Sequence, residues 1–111
     1  MFVLAIDIET SGSSLRDNGI LSIGASLQNL AREELEQFVV NIALVDGRIF
    51  EESCKKDFWD KNPKALEFVS QNAINPREAM GQFRDFVDRI QVQYPNLTVI
   101  SDNPSFDIAW I

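Results

Sequence analysis

The most constraining stretch of this sequence is Phe2-Val3-Leu4-Ala5-Ile6-Asp7-Ile8-Glu9-Thr10-Ser11-Gly12, an apolar run that ends in two carboxylates and a small, flexible turn. Such a run predicts a strand buried on both faces, because a half-exposed strand alternates apolar with polar residues. Asp7 and Glu9 are two residues apart, so on a strand they share a face, with Cα atoms about 6.5–7 Å apart. Two anions at the rim of an apolar core repel each other and are costly to desolvate, and a divalent cation removes that cost. The spacing leaves one alternative open, a strand end with both carboxylates solvated in a loop.

The chain has 111 residues, 45% of them hydrophobic, enough for the core of one domain and too few for two. It is expected to be globular and soluble. No stretch approaches the ~18 uninterrupted apolar residues of a membrane helix, and Met1-Phe2 leads straight into the first strand with no room for a charged signal-peptide head. A single cysteine, Cys54, excludes an internal disulfide and a Cys-rich metal site, and fits a reducing, cytoplasmic setting. Ten Lys and Arg against 17 Asp and Glu give a net charge of −7. That balance argues against binding nucleic acid through a broad basic surface, but not against an enzyme that meets phosphates through bound metal ions.

In chain order the pattern is strands first, helices next, and a returning strand. After a loop over 12–18, residues 19–27 alternate Leu21, Ile23, Ala25 and Leu27 with Ser22, Gly24 and Ser26, which predicts a strand closely approached on its second face. A turn over 28–32 leads into 34–42, where Phe38, Val40 and Ile42 share one face, completing an antiparallel hairpin. Asp46-Gly47 marks a turn in the crossover that follows.

The middle is helical. Ser53 is expected to cap a short helix reaching Trp59, and Asn62-Pro63 opens a second helix running to about Asn72. Asn75-Pro76 repeats the device, with Glu78 at the reciprocal capping-box position. Ala79, Phe83, Phe86, Val87, Ile90 and Tyr94 then mark the apolar stripe of an amphipathic helix. Pro95-Asn96 stops it, and 97–101 form a short strand expected to lie parallel to the first.

A second constellation, Asp102-Asn103-Pro104-Ser105-Phe106-Asp107, follows that strand. Asn103-Pro104 is a third helix start, placing Asp107 in an opening helical turn. Beside the first strand, Asp107 would reach the same volume as Asp7. Taken alone, it reads as an acidic residue complementing a helix dipole, worth about 0.3–1 kcal/mol.

Asp7-Ile8-Glu9-Thr10-Ser11-Gly12 resembles the first motif, and Asn103-Pro104-Ser105-Phe106-Asp107 the second, of the DEDD superfamily of 3′–5′ exonucleases. Ile20-Leu21-Ser22-Ile23-Gly24-Ala25 matches that family's usual second strand. Phe58-Trp59-Asp60-Lys61-Asn62-Pro63-Lys64-Ala65 is similar to the Trp-containing stretch of a phage-type, exoribonuclease-like branch. The resemblance runs along essentially the whole chain in family order. It implies a ribonuclease-H-like α/β fold, a mixed sheet in which an antiparallel hairpin is followed by helices and a parallel strand.

It also implies hydrolysis of single-stranded DNA or RNA from the 3′ end with two Mg²⁺ or Mn²⁺ ions, which hard oxygen ligands favour over zinc. Asp7, Glu9 and Asp107 match the metal-binding, catalytic carboxylates. Thr10 and the loop through Gly12 to Leu15 correspond to the region that meets the terminal nucleotide, and Asn103 to a residue that orients the second motif or touches the substrate backbone. Trp59 matches either a base contact or a packed aromatic, and Phe106 a core residue. Asp102 reads as a cap or a solvated side chain.

The family's third motif, with a fourth carboxylate and a His or Tyr, has no counterpart here. The chain contains no His, and Tyr94 precedes the second motif. The expectation is therefore that residues 1–111 are an incomplete exonuclease domain, truncated at its C-terminus and nearly inactive in isolation. Apolar surface around Ile108, Trp110 and Ile111 would then favour self-association into a homodimer. Two other classes stay open: a catalytically silent exonuclease-like module that binds nucleic acid or protein, and a ribonuclease-H-like endonuclease or nucleotide phosphohydrolase.

Overall fold

A computed structural model describes residues 1–45, 47–103, 107 and 110. Four strands, β1 (Phe2–Thr10), β2 (Ile20–Asn29), β3 (Glu34–Asn41) and β4 (Leu97–Ile100), form one mixed sheet in the order β3-β2-β1-β4. β1 and β2 pair antiparallel, as do β2 and β3, whereas β4 pairs parallel to β1. This is the expected α/β arrangement, with the helices supplying the long connection that a parallel pair requires.

The helical part begins with α1 (Glu52–Cys54), which runs on as a π-helical turn over Lys55–Trp59, followed by α2 (Pro63–Ser70) and α3 (Pro76–Gln93). α3 buries Ala79, Phe83, Phe86 and Ile90 against Leu4, Ile6 and Ile8 of β1 and Ile23, Ala25 and Leu27 of β2. Val40 and Ile42 complete that core, and Phe38 stacks on Phe86 with ring centroids 5.0 Å apart. A second cluster of Leu21, Trp59 and Val69, flanked by Phe50 and Leu66, holds α2 and the π-helical turn to the sheet.

Several local expectations change. β1 is not buried on both faces: Leu4, Ile6 and Ile8 are buried, but Asp7 is exposed and Val3, Ala5 and Glu9 are half-buried. The reason lies in the ladder. α3 covers one face, while on the other β1 meets Ser22, Gly24 and Ser26, which are too small to cover it.

The first helix starts at Glu52, not at a Ser53 cap, and Ser53 Oγ instead donates to Glu51 Oε1 at 2.9 Å. Asn62 precedes α2 without capping it, because its side-chain amide donates to Phe58 O at 2.7 Å. Asn75 does cap α3, its Oδ1 accepting from the Arg77 N–H at 2.8 Å. α2 ends two residues short of Asn72, which takes a left-handed backbone with φ of 53°. Gly47 lies in the expected turn with φ of 77°, and the Arg48 N–H donates to Val45 O at 3.1 Å; Asp46 and the readings of Pro104, Phe106, Ile108 and Ile111 lie outside the described residues. Among the described residues no helix is long and apolar enough to cross a membrane.

Candidate active site

The apolar alternation of β1 sends Leu4, Ile6 and Ile8 into the core, and so turns Asp7 and Glu9 to the opposite, open face. Their partners across the ladder are Gly24 and Ser22. A groove of ≈ 320 Å³ above this part of the sheet is lined by Asp7, Glu9, Ser22, Gly24, Phe58, Trp59 and Phe68, among others. A second depression, ≈ 360 Å³, starts from Asp7 and Gly24 and runs toward Ile100, Ser101 and Asp102 at the end of β4.

The parallel β1–β4 pairing brings that strand end to the carboxylates. Asp107 follows it, buried, with its N–H donating to Asn103 O at 2.9 Å. Its Oδ2 accepts from the Ser101 hydroxyl, so a residue at the tip of β4 orients the carboxylate. Asp7, Glu9 and Asp107 act on one another. Burial first, then the charges of Asp107 and Asp102, push the Asp7 carboxyl above its ordinary value, and the Ile8 backbone N–H opposes this. Burial, followed by Asp7 and Asp107, pushes Glu9 up. Among the described residues the charged neighbours that act on Asp7 and Glu9 are themselves acidic.

Hard carboxylate oxygens under mutual repulsion suit Mg²⁺ or Mn²⁺. Among the described residues, no three His, Cys, Asp or Glu side chains close around a single point as a ready-made metal cage. The donor set fits the way Mg²⁺ is commonly held, by one or two carboxylates with waters and substrate phosphate completing the shell.

The turn after Glu9 is pinned at many points. Thr10 Oγ1 donates to Gly12 O at 2.7 Å, and Ser11 Oγ donates to Ile49 O at 2.7 Å while accepting from the Gly19 N–H at 3.0 Å. Ser13 donates through its hydroxyl to Glu51 Oε2 at 2.9 Å, and the Ser13 and Ser53 hydroxyls hold the Glu51 carboxyl below its ordinary value. Gly12 is packed beneath this network. A Cβ there would stand 2.4 Å from Asn18 Oδ1 and 2.5 Å from Glu51 Cβ.

The expected site residues thus divide. Asp107 is near enough for its charge to act on Asp7 and Glu9, and its N–H donates to Asn103 O, but the three carboxylates do not form a closed cluster. Gly12 is enclosed by protein. Leu15 lines a separate cavity with Arg48, Met80 and Trp110, and the Arg48 guanidinium donates to the Leu15 carbonyl. Of the two roles open to Trp59, the structure shows the packed one, since the residue is 1% exposed and its Nε1–H donates to Thr10 O at 3.1 Å. The exposed aromatic residues lining the groove with the carboxylates, among the described residues, are Phe58 and Phe68, 41% and 55% exposed. Sequence reasoning missed these two and Ser101. The adjacent Phe58-Trp59 pair was a usable signal, but which ring faces outward depends on the turn that carries them.

No protein-family model matches the chain, and neither does any curated protein. Among solved structures it is similar to cell-death related nuclease 4 (CRN-4), with a TM-score of 0.63 and 14% identity over 95% of this chain. It is also similar to E. coli Exonuclease I in complex with a dT13 oligonucleotide, with a TM-score of 0.56 and 19% identity over 98% of this chain. The chain spans 36% and 22% of those two proteins' lengths. At these identities the likeness is one of fold, and it agrees with the α/β arrangement expected from the motifs.

Proposed function

We propose that this chain carries the first two motifs of a metal-dependent 3′–5′ exonuclease acting on single-stranded DNA or RNA. The observation that supports the reading is the electrostatic coupling of Asp7 and Glu9, on the open face of the central strand, to Asp107 beyond the end of the neighbouring parallel strand. Fold likeness to two nucleases, one of them bound to an oligonucleotide, supports it.

In this reading Asp7, Glu9 and Asp107 would hold Mg²⁺ or Mn²⁺. Two such ions, when bound, supply an activated water and stabilisation of the leaving 3′ oxygen. Ser101 orients Asp107 through its hydroxyl. The Thr10 backbone borders the terminal nucleotide, and Asn103 sets the turn that delivers Asp107. Ser22 and Gly24 leave space over the carboxylates, while Phe58 and Phe68 offer faces on which unpaired bases stack without regard to sequence.

Binding tests this reading without requiring turnover. Fluorescence anisotropy with a labelled linear oligonucleotide, in Mn²⁺, is expected to show binding that Asp7→Asn weakens at least tenfold, and little binding to a circular single strand. Equal affinity for circle and linear strand would favour an endonuclease. Absence of metal-dependent binding would remove the nuclease assignment.

A further inference from the structure

The π-helical turn over Lys55–Trp59 places two adjacent aromatic residues in different environments. Both line the groove with Asp7 and Glu9, Phe58 as an exposed ring and Trp59 as a buried one, edge-on to Phe58 with centroids 4.8 Å apart and edge-on to Phe50 at 6.4 Å. We propose that Trp59 is a positioning residue for the Glu9 carboxylate, acting through the Thr10 carbonyl. This inference rests on reading Asp7 and Glu9 as metal ligands.

The ladder between β1 and β2 shifts register between Glu9 and Thr10. A bulge re-aims the side chains beside it and loosens the backbone there, so its geometry has to be fixed from outside the strand. Trp59 supplies that fixing. Its indole N–H reaches Thr10 O at 3.1 Å, and the ring is locked by Leu21, Val69, Phe50 and Phe58. A packed ring with two side-chain torsions is a stiff strut, and groups one step behind metal ligands commonly change metal affinity by about 10- to 100-fold when removed. π-helical turns also occur often at functional sites, and here the turn sets Trp59 at the bulge while presenting Phe58 to the groove.

The test is Mn²⁺ calorimetry on the whole chain, with Trp59→Phe, which keeps a ring and removes the donor. Its control, Phe50→Leu, disturbs the same cluster and keeps the indole. The expected result is Mn²⁺ affinity about tenfold weaker in Trp59→Phe, with Phe50→Leu close to the parent even where its melting temperature falls as far. Equal affinity in parent and Trp59→Phe, or an equal loss in both variants, overturns the proposal. If the parent binds no Mn²⁺, or binds it no better than Asp7→Asn, the metal reading falls and this inference with it.

A measurement on the unmodified chain covers the case in which Trp59→Phe does not fold. The Trp59 indole N–H resonance is expected to shift on Mg²⁺ titration, with that of Trp110 as the internal comparison. A Trp59 resonance indifferent to Mg²⁺ while the Glu9 amide responds would overturn the proposal.

Discussion

Asp7 on β1 lies directly across the ladder from Gly24 on β2, and a Cβ built on Gly24 would come no nearer than 3.9 Å, to the Asp7 carbonyl. The glycine therefore keeps the groove open, while the fold leaves room for a larger residue. Gly24→Ala is expected to fold with stability unchanged or raised by up to about 1 kcal/mol, since glycine in a strand interior weakens it. Gly24→Leu should also fold but fill the space over Asp7, so that oligonucleotide binding falls at least tenfold. Thermal melts and anisotropy on the two variants check this.

Gly12 behaves in the opposite way. Its Cβ position is already taken by Asn18 and Glu51, so Gly12→Ala is expected to destabilise by about 1–3 kcal/mol through overpacking. Urea unfolding measures it. A neutral result would mean that the 10–18 loop is looser than its hydrogen bonds suggest.

Protonation of Asp7 and Glu9 should favour the metal-free fold. Asp7 and Glu9 have folded-state values raised by burial and by neighbouring carboxylates. A raised value means that the folded state holds its protons more tightly than the unfolded one. The stabilising contribution is therefore full below the ordinary values of 3.8 and 4.5 and is lost as pH rises through the raised ones. Without metal, the part of stability due to these two groups should fall as pH climbs from the ordinary carboxylate range toward neutrality. Asp7→Asn should flatten the fall and raise the melting temperature at neutral pH. Solvent screening at the exposed Asp7 keeps the effect small. Melts against pH, with and without Mn²⁺, decide the sign.

The core carries larger numbers. Phe83 on α3 is buried against the sheet, its ring centroid 5.8 Å from that of Phe38 on β3, and Phe83→Ala is expected to cost about 3–5 kcal/mol. Asn75→Ala removes the cap on α3 and should cost about 1 kcal/mol, whereas Asn62→Ala is not expected to act through capping, because Asn62 makes no capping bond. Denaturant titrations of the three variants test the ranking.

Much of this architecture was legible in the residues. The step pattern from Ala79 to Tyr94 marked α3, Phe38 and Val40 marked the inward face of β3 with Ile42 just beyond its end, and the short run at 97–101 marked the parallel strand, which ends at Ile100, because in each the side-chain period equals the backbone period. Exposure was less legible. Apolar content in β1 gave no sign that its second face stays open, since that depends on the small residues a hairpin away. The inward turn of Trp59 and the outward turn of Phe58 follow from a π-helical turn that no local spacing announces. Serine at 101 looked like the end of a strand, and only the parallel register shows it reaching Asp107.

The central claim is that Asp7 and Glu9 form the heart of a divalent-metal site. Mn²⁺ titration by calorimetry, on the chain and on Asp7→Asn, tests it most directly. The account predicts saturable Mn²⁺ binding that the substitution abolishes while the variant stays folded. Equal binding by both, or none by either, would contradict it.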